Sequence, residues 1–264
     1  MSSDTTKRIV AIVLTVLAVG LCIYVLWGRK TRTYTEAPRD SDYWIRKADH
    51  PDVRTECQAL AKLGRMKDPA VVPVLIEKLE KGRPAASAQA ARGLALHGKG
   101  QKAVADKALP ALTKQLERES TIVKFAVVKA LRDIGDPRSL PGLQGQVRTN
   151  SVVAADAAWA IGRLKDGKTG GIPRAAEDAL IGYLSSPIPR IRLGALLGLR
   201  DGGTRRALPA LETLKADPLG GLDHKFISTP IVEGRVAEPD WIGRPCREAI
   251  KAIRARMKKT EGTS

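Results

Sequence analysis

Along most of the chain, apolar residues recur with the period of an α-helix, and the helices so predicted recur in turn. One element contains Val72-Pro73-Val74-Leu75, Leu109-Pro110-Ala111-Leu112, Leu140-Pro141-Gly142-Leu143 and Leu208-Pro209-Ala210-Leu211, with a degenerate copy at Glu177-Asp178-Ala179-Leu180. The spacings between the Pro or Asp positions are 37, 31, 37 and 31. The unit is therefore about 31 residues, and two units carry six extra, which the spacing assigns to loops near Gly98–Asp106 and Asp166–Arg174. Within each element the pairs Leu75/Leu79, Leu112/Leu116, Leu143/Val147 and Leu180/Leu184 lie four apart, so each pair shares a helix face. Proline is expected in the first turn, where its missing N–H costs nothing.

A second helix follows each first. Its core face repeats as Ala90-Gly93-Leu94, Val127-Ala130-Leu131, Ala157-Ala160-Ile161 and Ala195-Gly198-Leu199, with glycine turns expected at Gly98, Gly135 and Gly202. Two short helices cannot bury their apolar faces alone, so the pairs must stack into an α-solenoid. Residues 219–243 interrupt the last repeat. They contain Phe226, Ile227, Ile231, Val232 and Trp241, too apolar for a free loop, and are expected to cap the open end or to dock a partner.

The L-P-x-L helix, the Asp68-Pro69 and Asp136-Pro137 turns and the Asp52-Val53-Arg54 opening resemble HEAT repeats, the short unit being most similar to the bilin-lyase-like subclass. The resemblance spans residues 42–259. It implies an all-α, right-handed solenoid of about five to six helical hairpins, with the second helices on its concave wall. HEAT proteins are mostly scaffolds and adaptors, with a few bilin lyases, hydroxylases and DNA glycosylases among them, so the resemblance speaks to fold more than to activity.

The N-terminus follows another pattern. After a short tail (1–8), Ile9 to Trp27 run 19 positions without a charge. As a helix this reaches roughly 28 Å, close to the hydrocarbon thickness of a bilayer. A cleaved signal peptide would have a shorter apolar region ending in small residues. Here Ile23-Tyr24-Val25-Leu26 continues it, and Leu21 precedes Cys22 where a lipoprotein signal would place Gly or Ala. The pattern predicts an uncleaved single-pass transmembrane helix at 9–27 and a basic linker at 28–41. Arg29, Lys30, Arg32 and Arg39 follow the span, against Lys7 and Arg8 before it, which predicts a cytoplasmic solenoid. Residues 260–264 read as a tail.

Composition narrows the chemistry. Aromatics are 4% of the chain, and three cysteines and three histidines leave little for zinc clusters or disulfides. A HEAT-type hydroxylase would pair histidine with glutamate to hold iron, but His50, His97 and His224 are followed by Pro51, Gly98 and Lys225. No nucleophile sits in a recognisable motif and no P-loop or dinucleotide fingerprint occurs, so no catalytic, metal or cofactor residue is predicted. Asp156 with Trp159 resembles the aspartate-plus-aromatic site of HEAT-like alkylpurine glycosylases, without the further aromatics such a site needs.

Charge changes the picture more. Lys plus Arg is 45 and Asp plus Glu 28, a net charge of +17. The expected first helices hold 9 basic and 8 acidic residues and the second helices 19 and 5, so the excess belongs to one wall. Solubility alone would explain it, and Arg54, Lys124 and Arg192 also fit a structural ladder between repeats; a basic groove for an acidic ligand is the alternative. Trp159 lies off the core register at the position held by Arg92 and Lys129 in neighbouring repeats, and either marks a binding hot spot or covers a gap left by Ala155 and Ala158. The candidate partner-binding residues are Arg92, Lys129, Asp156, Trp159, Arg163, Arg192, Arg247, Lys251 and Arg254. They suit a membrane-anchored adaptor for an acidic protein or membrane complex. A polyanion-binding module, for nucleic acid or anionic lipid headgroups, is the other reading, and a bilin-lyase-like enzyme a remote one.

Overall fold

A computed structural model of the chain describes residues 40–66, 68–167, 169–216 and 240–261. These residues form twelve α-helices and no strand. In chain order they are α1 (Ser41–Lys47), α2 (Val53–Leu63), α3 (Val71–Lys81), α4 (Pro84–Gly98), α5 (Lys102–Gln115), α6 (Thr121–Ile134), α7 (Leu140–Arg148), α8 (Ala154–Ile161), α9 (Arg174–Tyr183), α10 (Pro189–Gly202), α11 (Leu208–Ala216) and α12 (Asp240–Glu261). Odd-numbered helices are the first members of six pairs. The apolar run 9–27 and most of the 219–243 insertion lie outside the described residues. Among the described residues no helix is long and apolar enough to cross a membrane.

The leucine pairs read from the sequence are the solenoid's axis of packing. Leu75, Leu79, Leu112, Leu116, Leu143, Val147, Leu180 and Leu184 are all buried, as are the second-helix positions Ala90, Leu94, Val127, Leu131, Ala157, Ile161, Ala195 and Leu199. The second helices pack on one another in an unbroken series, α2 on α4 through to α10 on α12, whereas neighbouring first helices touch sparingly or hardly at all.

Small residues make that tight row possible. Gly194, Gly198 and Gly202 lie four apart and form one stripe on α10. A Cβ on Gly194 would stand 2.2 Å from the Ala155 carbonyl oxygen, and one on Gly202 2.1 Å from that of Gly162; one on Gly162 would stand 2.2 Å from the Gly198 Cα. The backbones of α8 and α10 are therefore in direct contact, and Gly64 against Gly93 repeats the arrangement between α2 and α4 at 2.6 Å. Gly202 ends α10, as expected, with Gly203 as its C-cap, and is a packing residue as well. Gly135 is a turn, ending α6 in the left-handed region at φ 72°.

Two expectations are corrected. The six extra residues at 98–106 are not a loop, because α5 begins at Lys102. Val104 and Ala105 are buried there and Lys102 pairs with Asp106 one turn on, which favours helix. Pro110 consequently falls inside α5 instead of its first turn. The other extra segment is a loop, closed by hydrogen bonds from the Asp166 N–H to the Gly171 carbonyl and from the Gly170 N–H to the Asp166 carbonyl.

Turns between pairs are tied by charge. Arg83 donates to the buried Glu56 at 2.6 Å and to the Pro51 carbonyl at 3.0 Å. Thr204 and Arg206 hold the buried Glu177 in the same way. Arg138 grips Asp136 at 2.6 Å and reaches across to Asp106. These bonds hold both carboxyls below the ordinary value of 3.8. A depressed carboxylate contributes stability that is present above its unfolded value and lost as pH falls through its folded one.

Urea unfolding checks both arguments. Gly162→Ala is expected to destabilise by about 1–3 kcal/mol despite alanine's better helix propensity, because backbone cannot yield to the new methyl. Gly145→Ala, in α7 with open space around it, is expected to stabilise by about 0.5–1 kcal/mol. In acid titration, Arg138→Gln should flatten the loss of stability below pH 3.8, the region in which Asp136 and Asp106 become protonated in the unfolded chain.

Candidate second-helix groove

The second helices expose what their packing leaves over. In α6 the core takes Val123, Ala126, Val127, Ala130 and Leu131. That leaves Ile122, Phe125, Lys129 and Arg132 on one stripe, at i, i+3, i+7 and i+10. Ile122 is 50% and Phe125 41% exposed, unusual for large apolar side chains in a well-packed repeat. They line a cleft of about 520 Å³ with Lys129, Arg132, Arg92 from α4 and Asp156 from α8. A second cleft of about 520 Å³ on the α2 side shares Arg92 and Lys129 and adds Arg65, Lys99 and Leu96, which is 60% exposed. Arg92 and Lys129 thus stand on the divide between two open clefts, and neither has an ion-pair partner among the described residues. Asp156 and Asp133 contribute one carboxylate to each cleft.

Trp159 is placed differently. Its indole N–H donates to Asp201 Oδ2 at 2.9 Å, and the Arg132 guanidinium carbon lies 4.2 Å from the ring centroid. Asp201 also accepts from Arg200 Nε at 3.1 Å and lies 3.8 Å from Arg163 Nη1, while Arg200 Nη1 is 3.9 Å from Glu248 of α12. The tryptophan is a tie across α6, α8, α10 and α12, half-buried and outside both clefts. Its polar edge is used and one face is covered, whereas Asp156 lines the first cleft, so the two residues of the aspartate-plus-aromatic resemblance do not share one cleft. Arg192 is also corrected: at 2% exposure it is inside the solenoid, so a partner cannot reach it. Of the other candidates, Arg163 belongs to the tryptophan tie, and Arg247, Lys251 and Arg254 line a separate cleft on α12.

The sequence reading missed Ile122, Phe125 and Leu96. Their signal was present as apolar residues outside the core register, a pattern that carries binding information only once the register is fixed. It also missed Asp201, whose partner lies 42 residues away.

The two clefts are lined mainly by cations and apolar side chains. Among the described residues no group of three His, Cys, Asp or Glu is placed to hold a metal ion. Burial raises the thiol of Cys57 above its ordinary value and pushes that of Cys246 up to about 11, so neither is an activated nucleophile. His97 is buried with Nε2 3.1 Å from the Leu63 carbonyl, a packing role.

Residues 84–162, which contain both walls of the first cleft, match the family model for HEAT repeats. No curated protein matches the chain. Similar solved structures include an engineered protein (19% identity, 82% of this chain and 97% of that one, TM-score 0.49). A designed armadillo repeat protein in complex with the peptide (KR)4 is similar at 17% identity, over 80% of this chain and 98% of that one, with TM-score 0.48. Human deoxyhypusine hydroxylase in complex with glycerol is similar at 14% identity, over 81% and 84%, with TM-score 0.40.

The two aromatic positions of the second-helix wall should part cleanly in a denaturant titration. Asp201→Ala leaves the Trp159 N–H and two arginines without their acceptor and is expected to cost about 1–3 kcal/mol. Phe125→Ala, on the open stripe, is expected to change stability by less than about 1 kcal/mol.

Proposed function

We propose that the solenoid is a membrane-anchored adaptor whose second-helix wall binds an acidic protein segment carrying apolar side chains. One observation carries the reading: exposed Ile122, Phe125 and Leu96 stand beside Arg92 and Lys129, two cations without ion-pair partners, at the junction of two open clefts. Desolvated apolar anchors supply affinity, while the surrounding cations set partner sign and encounter rate. Helical repeat solenoids commonly bind proteins along such a wall. The uncharged run at 9–27 supports an anchor, and the cations after it support a cytoplasmic solenoid.

Two synthetic peptides of equal negative charge test this, one of glutamate and glycine alone and one with leucine and phenylalanine interspersed. Fluorescence anisotropy is expected to show at least tenfold tighter binding of the second. Phe125→Ala should remove that preference, whereas Lys129→Glu should weaken both peptides and lower the salt dependence. Equal binding of the two peptides, matched by RNA of the same charge, would instead establish a general polyanion surface.

A further inference from the structure

The last helix pair carries a charged surface of its own. The apolar residues of α12, Ile242, Cys246, Ala249, Ile250 and Ile253, are buried against the solenoid. Arg247, Lys251, Arg254 and Lys258, at i, i+4, i+7 and i+11, form one exposed stripe along three turns, roughly 16 Å at the rise of an α-helix. Together with Lys215 of α11 they line an open cleft of about 440 Å³. Among the described residues Glu212 lies beside them, 2.8 Å from Arg254 Nη2 and 3.6 Å from Lys215 Nζ, and the cleft lining itself carries cations and no carboxylate. The stripe is not simply what a basic helix presents everywhere. Arg256 turns the other way and donates to the carbonyls of Leu199, Arg200 and Gly203, capping the end of α10, and Arg244 is paired with Glu248 at 3.1 Å.

We propose that this stripe docks on anionic phospholipid headgroups, holding α12 against a membrane surface. The apolar face of α12 is committed to the solenoid, so contact with a bilayer would be electrostatic, at the headgroups, without insertion. A straight row of flexible cations suits a plane of negative charge. Among the described residues no aromatic ring lines the cleft for a nucleobase to stack on, which disfavours single-stranded nucleic acid. Acidic peptide is better served by α4 and α6, where apolar anchors accompany the charge. The choice of lipid also rests on the anchoring reading, since a chain holding a bilayer through residues 9–27 meets headgroups at high local concentration.

The full-length chain reconstituted in nanodiscs of neutral phosphatidylcholine, or of the same lipid with about a third phosphatidylglycerol, tests the proposal. Amine acylation read by mass spectrometry follows each lysine. Labelling of Lys251 and Lys258 is expected to slow at least threefold in the anionic discs and to recover at about 1 M salt, with Lys102 on α5 unchanged. The double variant Arg247→Gln, Arg254→Gln should lose the slowing while still eluting with the discs. Equal labelling in both discs would overturn the proposal, as would protection by a single-stranded RNA but not by phosphatidylglycerol. Failure to elute with neutral discs would contradict the anchor alone, because adding anionic discs to the chain in solution still reads the stripe.

Discussion

The backbone contact between α8 and α10 is the constraint on which the wall depends. Gly194, Gly198 and Gly202 give α10 a groove without side chains, and the Ala155 carbonyl and Gly162 occupy it. A methyl at any of these glycines would meet main-chain atoms, which cannot rotate aside. Contact at this range joins successive second helices more extensively than successive first helices. The same contact leaves no room for a large side chain between α8 and α10, so Trp159 must lie across the seam rather than in it.

That geometry explains why the exposed aromatic of the wall is Phe125 and not Trp159. With the seam closed, the indole edge of Trp159 arrives at Asp201 on the next second helix, and Arg132 from the previous one covers its face. Three successive second helices are thereby joined, and Arg200 extends the tie to Glu248 on the last. Among the described residues no such tie crosses the surface between α4 and α6, and there the wall opens into clefts with Ile122, Phe125 and Leu96 exposed. One stretch of the wall is thus sealed by a polar network and another left open, although the positions involved are equivalent in the repeat.

The fold was legible because its signal is local and repeated. Leucines four apart and small residues on second helices recur often enough that each copy corroborates the others, and the helices lie within a few residues of where the periodicity puts them. The exceptions are also local: α5 starts early because Val104 and Ala105 find a core that spacing alone does not reveal. The candidate face was half legible. Charge asymmetry singled out Arg92 and Lys129, which line both clefts, but Arg192 shows that a basic residue of a second helix can point inward. What was not legible depends on contacts between distant positions. The pairing of Trp159 with Asp201 spans 42 residues, and the exposure of Phe125 follows from where three helices meet rather than from its own segment.

The central claim is that the open stretch of the second-helix wall, and not the sealed one, is where a partner sits. Amide hydrogen exchange of the full-length chain, with and without a saturating acidic peptide bearing leucine and phenylalanine, tests it most directly. The account predicts slowed exchange in Pro84–Gly98 and Thr121–Ile134, with Val71–Lys81 and Arg174–Tyr183 unchanged. Slowing confined to first helices, or centred on Ala154–Ile161 and Pro189–Gly202 around Trp159, would contradict it.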